Sequence, residues 1–442
     1  MGSVGKKINF GAHQLRPAQS LASAALSTQL TPLPVWESLS RVLPSRDEDK
    51  DFWWAVIGRQ FATMMHEAGY PVKLQYDYLL FHHFTIVPRM GPRPSPSGHP
   101  RYNSFMCDDF SPVEYSWRWD GDRPDVRFCV EPIGPLAGTA VDPFNQAAMK
   151  EMLHSLESSH PEIDATLFWK FAPYLEPQES DAGVPPEWGS SIYSGFEFLS
   201  SGVGVKAYYM LRSPSRSAAF FNESFTKVMG SIHGTALASY ELLRSFLAED
   251  PDGKTLNMIL LAIDCVAPKD SRVKVYMRTP RTSFNSVMAI MTLGGRKAVS
   301  LAQRQELKEL WYTSLGLDDD FSAADELPFN GHYTAGVPFY FDIKPGSMTP
   351  EIKGYIPVRH YAKSDAIAAD GLCDFLESRG RGEYTSAYQA MLRGFASDEI
   401  LATRAGVQTF ISFSFKRGDG LALSSYLSPQ VYSTIQETLG TL

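Results

Sequence analysis

Apolar positions along the chain follow two periods. From Pro34 to Ala68 they recur at helical spacing, with Phe52, Trp53 and Trp54 supplying the bulk of one face, and Gly69-Tyr70-Pro71 ends the pattern. The same spacing predicts helices over Tyr76–Val87, Pro143–Glu157, Phe220–Leu247, Phe284–Leu315 and Asp365–Glu377. Between the later helices lie short runs that alternate apolar and polar: Val126–Val130, Val205–Tyr208, Val273–Tyr276, Ile352–Tyr355 and Leu421–Leu427. Strict alternation predicts half-buried strands. The runs recur roughly every 75 residues, too long a period for a solenoid repeat. It is also too long for the βα unit of a triose-phosphate-isomerase-type barrel, about thirty residues. Five units of similar length, each of strands plus helices, predict an α+β fold closed into a repeat barrel. Gly91–Pro100 reads as a Pro/Gly/Ser loop. Residues 1–30, small and polar, are expected to be flexible, and residues 31–442 to form a single domain.

Composition narrows the function classes. The 442 residues carry 41 Lys+Arg against 49 Asp+Glu, a net charge of −8, which argues against generic nucleic-acid binding. Aromatics make up 12% of the chain, enough to line a large apolar cavity. The four cysteines (Cys107, Cys129, Cys265, Cys373) form no CxxC pair, so a zinc site of common spacing is not expected. Cys129 and Cys265 sit in apolar runs and read as buried core thiols. The start MGSVGKKINF has no apolar signal core, and Lys6 breaks the myristoylation pattern. The most apolar stretch, Leu256–Ala267, is too short to span a bilayer and carries Asn257 and Asp264. A cytoplasmic chain without a membrane span is expected, a monomer or homodimer with small-molecule substrates and no nucleic-acid partner.

The strand runs also carry chemistry. Residues i and i+2 share a face, so each of Lys206-x-Tyr208, Lys274-x-Tyr276 and Lys353-x-Tyr355 aims an ammonium and a phenol the same way. Arg272 joins the Lys274 face. If the runs are neighbouring barrel strands, Arg127, Lys206, Arg272, Lys274 and Lys353 converge inward. Interior cations are costly unless they meet an anion. A diphosphate would satisfy them, through charge-assisted hydrogen bonds of roughly 1.5–3 kcal/mol each. A ring of tyrosines beside it would stabilise a neighbouring cation by about 2 kcal/mol per desolvated ring. A diphosphate leaving group next to an aromatic cage is the arrangement that generates an allylic carbocation.

Other motifs fail on their spacing. Neither Asp318-Asp319-Asp320 nor Asp108-Asp109 is followed by the third aspartate of a magnesium-binding DDxxD, and both read as solvated loops or helix caps. Ala248 replaces the first glycine of a P-loop ending in Gly253-Lys254-Thr255. His66-Glu67 lacks the second zincin histidine, there is no GxSxG, and His82-His83 reads as packing or surface rather than as a ligand pair.

Taken together, the ordered motifs resemble the fungal aromatic prenyltransferases of the dimethylallyltryptophan synthase family. They are Ser111-Pro112-Val113-Glu114-Tyr115-Ser116-Trp117, Val126-Arg127-Phe128 with Glu131-Pro132-Ile133-Gly134-Pro135-Leu136-Ala137-Gly138-Thr139, the Lys-x-Tyr strands, Met291-Thr292-Leu293-Gly294-Gly295, Lys344-Pro345-Gly346-Ser347 and Tyr355-Ile356-Pro357. The resemblance runs roughly from Pro34 to Pro429. It implies the ABBA barrel of that family, ten antiparallel strands from five α-β-β-α units with helices outside. It also implies transfer of a dimethylallyl group from dimethylallyl diphosphate, a co-substrate, to an aromatic carbon without metal or other cofactor in the chemical step. By the same resemblance Glu114 is the catalytic glutamate that accepts a hydrogen bond from an indole N–H. Arg127, Lys206, Arg272, Lys274 and Lys353 match diphosphate-binding positions, with Lys353 where glutamine is common. Tyr208, Tyr276, Tyr355 and Tyr426 match the cation shield, and Phe410 takes a shield position where tyrosine is frequent.

Tryptophan-using members pair the amino-acid carboxylate with an arginine just upstream of the third Lys-x-Tyr strand. The corresponding stretch here, Leu256–Ala267, holds no Arg or Lys. A carboxylate there would be unpaired, which is costly. The expected acceptor is therefore an apolar polycyclic indole, an indole diterpene or indole alkaloid of secondary metabolism, with Phe105 and Met106 lining its pocket. The alternatives are a phenolic polyketide, tryptophan or a tryptophan-derived peptide, and, outside enzymes, a carrier of an apolar ligand.

Overall fold

The computed structural model describes residues 17–26, 32–119, 121–177, 189–211, 218–233, 237–416, 418 and 420–440. Ten strands form five consecutive hairpins: β1 (Val113–Arg118) with β2 (Asp125–Val130), β3 (Ile192–Leu199) with β4 (Gly202–Met210), β5 (Asn257–Asp264) with β6 (Val273–Thr279), β7 (Val337–Ile343) with β8 (Glu351–Ile356), and β9 (Gln408–Phe415) with β10 (Leu421–Leu427). Every neighbouring pair is antiparallel, and β1 pairs with β10 to close the barrel. The predicted runs fall on β2, β4, β6, β8 and β10, the second strand of each hairpin.

The alternation sorts side chains into two unlike compartments. Outward positions such as Tyr115, Trp117, Phe128, Phe196, Phe339 and Phe413 are buried against the surrounding helices. Those helices contribute Phe52, Trp53, Phe61, Phe168, Phe171, Trp311 and Tyr388 to one continuous core. The apolar core is thus a shell between strands and helices, and the barrel interior is free to be polar. Adjacent Tyr208 and Tyr209 show the rule. Tyr209 points out, stacks on Phe168 at 4.5 Å and donates its hydroxyl to the Phe168 carbonyl at 2.8 Å, while Tyr208 points in.

The helices differ from the sequence expectation mainly at their breaks. Pro34–Ala68 splits at Leu43 into Pro34–Val42 and a second run that starts at Glu48, capped by Asp47, and passes through a π-helical turn at Trp54–Gly58. Phe220–Leu247 divides into Ala218–His233 and Ala238–Glu249, and Phe284–Leu315 into Phe284–Met291 and Leu301–Leu315. The latter begins at a capping box of Ser300 and Gln303. Asp365–Glu377 is one helix, as expected. Within the segment expected to be flexible, Pro17–Ala24 is helical with Leu21 and Ala22 buried; residues 1–16 and 27–30 lie outside the described residues. No helix among the described residues is long and apolar enough to cross a membrane.

Candidate active site

The register carries the cationic residues of neighbouring strands to one end of the barrel lumen. Arg127 lies opposite Glu197, Lys206 opposite Asp264, Lys274 opposite Asp342, and Lys353 opposite Tyr340. All five predicted diphosphate-binding residues line one cavity of about 270 Å³. The sequence reading missed their counter-ions. Lys206 and Arg127 reach Glu197 at 2.6 and 3.2 Å; Lys274 and Arg272 reach Asp264 at 2.7 Å each; Arg272 also reaches Asp342 at 3.2 Å. Arg127 further donates to Ser424 at 2.8 Å, and the Lys353 ammonium sits 5.8 Å from the Tyr340 ring centre.

Electrostatics follow from this packing. Burial alone would push the Glu197 carboxyl up, but Lys206 and Arg127 outweigh it and hold the group well below the ordinary range. For Asp342 the balance goes the other way: burial raises its carboxyl despite Lys274 and Arg272. Lys274 is lowered by burial and by neighbouring Lys206 and Arg272, against the pull of Asp264. The cluster brings five cations and three carboxylates to one cavity, with Arg127, Lys206, Arg272 and Lys274 paired to the carboxylates.

Beyond the cations the lumen turns aromatic. Tyr193 stacks on Tyr208 at 4.3 Å, and rings then follow one another around the wall: Tyr208–Tyr276 at 6.4 Å, Tyr276–Tyr340 at 5.2 Å, Tyr276–Tyr355 at 6.2 Å and Tyr355–Tyr426 at 5.5 Å. All four tyrosines expected as a shield are in this belt, and Tyr193 and Tyr340 extend it. Gly195 makes room for it, because a Cβ there would stand 3.1 Å from the Tyr208 ring. Phe410 lies opposite Tyr426 in register, 6.0 Å from Tyr355. Its ring faces the second chamber, and the Arg359 guanidinium lies 4.8 Å above it. Cys129, expected in the core, instead turns its sulfur into the lumen, 3.9 Å from the Tyr208 hydroxyl, because it alternates with the outward Phe128 and Val130. Cys265 is a buried core thiol as expected.

Past the belt opens the second chamber, about 590 Å³, lined by Phe105, Met106, Tyr193, Met210, Met258 and Leu260 among others. Phe105 and Met106, expected to line an acceptor pocket, are in its wall. The Ser104 hydroxyl and the Phe105 amide both donate to buried Glu131, which fixes this segment across the chamber. Glu114 lines both chambers. Its carboxylate accepts a hydrogen bond from Thr409 Oγ1 at 2.8 Å. Burial pushes it up to about 7, while the Thr409 bond and Arg359 hold it down from going further.

Leu256–Ala267 indeed brings no cation to the second chamber, but the inference that an acidic group there would be unpaired does not hold. Arg278, two positions beyond Tyr276 on the same face of β6, and Arg359, after β8, both reach its wall. Neither was singled out, because Arg278 lies past the Lys-x-Tyr motif and Arg359 lies outside any strand. Beside them, Asp108, His332 and His360 bring ligand-type atoms within 4.8 Å of one another. The Arg359 guanidinium takes up two of the three, reaching His360 Nε2 at 3.1 Å and Asp108 at 3.4 Å. Asp109 is a cap, accepting from the Tyr432 amide at 3.1 Å, whereas Asp318, Asp319 and Asp320 are exposed.

The chain that builds this cationic chamber and the mostly apolar one beside it, meeting at Glu114, is similar to known proteins. The family model described as tryptophan dimethylallyltransferase matches residues 49–391. The chain belongs to this family. It is 39% identical over 420 residues to "Prenyltransferase nscD" of Neosartorya fischeri, covering 91% of this chain and 92% of that one. It is 38% identical over 457 residues to "Prenyltransferase vrtC" of Penicillium aethiopicum, covering 98% and 94%. The crystal structure of AnaPT from Neosartorya fischeri superposes with a TM-score of 0.77 at 25% identity, covering 89% of this chain and 97% of that one. The chain is an aromatic prenyltransferase with the ABBA barrel, and the resemblance seen in its motifs holds over nearly its whole length.

Proposed function

We propose that the chain transfers a dimethylallyl group from dimethylallyl diphosphate to an aromatic carbon of a polycyclic, indole-containing acceptor, with no metal in the chemical step. The observation that carries the reading is the position of Glu114, at the junction of the cationic and apolar chambers. Arg127, Lys206, Arg272, Lys274 and Lys353 hold the diphosphate and take up the charge that develops as its C–O bond breaks. The leaving group keeps the bonding electron pair. The tyrosine belt faces the allylic cation and excludes water from it. Glu114 accepts the acceptor's N–H and raises electron density on the ring, whose π pair then forms the new C–C bond. The ring carbon finally sheds its proton. In support, the second chamber is large and mostly apolar, suited to several fused rings.

A phenolic acceptor is the second reading. Its support is the Glu114 carboxyl at about 7, a base matched to removing an O–H proton near neutral pH. One assay tests both: purified protein, dimethylallyl diphosphate, excess EDTA, and a panel of tryptophan, neutral polycyclic indoles and phenols. A product heavier by one C5H8 unit on a neutral indole supports the first reading, and product on phenols alone supports the second. Product only when magnesium is restored would overturn the metal-free step. Glu114→Gln should slow transfer at least about a hundredfold with diphosphate affinity kept. Equal loss of both contradicts its role.

A further inference from the structure

The second chamber is mostly apolar, and its wall carries two guanidinium groups. Arg278 is fixed there by donating from Nη1 to the Tyr333 carbonyl at 2.8 Å. Its Nε is buried and meets no partner among the described residues. Arg359, with its side chain only 8% exposed, leans on Phe410 and reaches Asp108 at 3.4 Å. The two cations feel each other: burial and then Arg359 bring Arg278 down to about 10. Burial, Arg359, His332 and Arg278 likewise bring the neighbouring His360 down to about 3, so it is neutral and adds no charge. The negative groups within reach are Asp108, more than a third exposed, and Glu114. Two guanidinium groups in the wall of one chamber, served by one partly exposed carboxylate and one carboxyl that is partly protonated at neutral pH, leave a surplus of positive charge. Such surplus is costly unless a ligand supplies the anion.

We infer that the Arg278–Arg359 edge is an anion subsite that docks an acidic oxygen group on the acceptor: a carboxylate, the enolate of a 1,3-dicarbonyl or an ionised phenol. The acceptor then lies with its N–H or O–H on Glu114, its fused rings on Phe105, Met106, Met210 and Leu260, and its acidic edge on the guanidinium pair. This orientation rests on the reading of Glu114 as the acceptor's hydrogen-bond partner. It adds a second fixed point, and two points orient a flat ring where one leaves it free to swing. The subsite also accounts for cations in a chamber that is otherwise apolar.

The test uses the full chain, with pyrophosphate occupying the donor site, and a matched pair of probes: 3-hydroxy-2-naphthoate and its methyl ester. Binding is followed by quenching of protein fluorescence, and transfer is followed separately with dimethylallyl diphosphate. The acid should bind at least about tenfold more tightly than the ester. Arg278→Gln should bring that ratio to about one, and Arg278→Lys should restore part of it. Equal binding of acid and ester by the unsubstituted protein, or an acid preference that survives Arg278→Gln, overturns the subsite. Preferential binding of the acid without transfer upholds the subsite and removes the phenolic reading of the reaction. Equal binding with transfer to both does the reverse.

Discussion

At the scale of single residues, Glu114 is governed by one hydroxyl. Thr409 donates to its Oε1 at 2.8 Å, and that bond stabilises the charged form in a site where burial disfavours it. Removing the donor leaves burial less opposed, so the carboxyl rises further above about 7. If the carboxylate must be ionised to accept the acceptor's proton or hydrogen bond, the acid limb of the rate profile lies at the Glu114 pKa. Thr409→Val should therefore move that limb to higher pH by about one unit, while Thr409→Ser keeps it in place. A lower rate with an unmoved limb would show Thr409 to be packing alone. Glu114 itself was legible from its sequence motif. Thr409 was not, because it lies almost three hundred residues away and meets Glu114 only through the pairing that closes the barrel. The same holds for Glu197, Asp264 and Asp342. Single carboxylates in strands carry no sequence signal until their register sets them against a lysine.

At the scale of elements, the second strand of each hairpin was readable because alternation and the Lys-x-Tyr pattern coincide there. Helix breaks were harder to read. Leu43 to Arg46 interrupts a continuous apolar pattern, and only the Asp47 cap marks the restart. The segment His82–Ile86 is a π-helical turn. It drives His82 fully into the core, stacked on Phe61 at 5.2 Å and edge-on to Phe128 at 5.7 Å. Neither ring nitrogen has a partner among the described residues. Of the two roles expected for this histidine, packing or surface, it takes the first, and this has a consequence for acid stability. Burial, then His83, hold His82 down to about 3, against 6.5 when unfolded. Below pH 6.5 the unfolded chain takes up a proton that the folded chain refuses. Stability from this site is present above that pH and is lost progressively as pH falls toward 3. At about pH 4 the loss is about 3 kcal/mol. His82→Phe fits the same aromatic nest and lacks that dependence. Its gain over the unsubstituted protein, measured by urea unfolding, should be larger at about pH 4 than at about pH 8. A gain that is constant with pH would mean that His82 is protonated in the folded protein.

For the whole molecule, the barrel separates two tasks that compete in most folds. Apolar side chains pack outward into the helical shell, so stability does not depend on filling the lumen with apolar groups. The lumen instead gathers five cations, and Glu197, Asp264 and Asp342 pair with four of them, Arg127, Lys206, Arg272 and Lys274. On the proposed reading, a diphosphate entering this cluster competes with those carboxylates for the same ammonium and guanidinium groups. Glu197 is the most exposed to this competition, since Lys206 and Arg127 both pair with it. Glu197→Gln keeps the shape and removes the charge. Without ligand, two buried cations then lose their main partner, and the variant should unfold about 3 kcal/mol more easily. Pyrophosphate binds the folded state and supplies the missing charge. The rise in melting temperature at saturating pyrophosphate should therefore be larger for Glu197→Gln than for the unsubstituted protein, and its pyrophosphate affinity should be higher. Equal rises, with equal affinity, would mean that the diphosphate is held by Lys274, Arg272 and Lys353 alone and that the Glu197 pairs serve only to support the strands. The larger rise would show that Glu197 is a placeholder for the leaving group, set against Arg127 by strand register and within reach of Lys206.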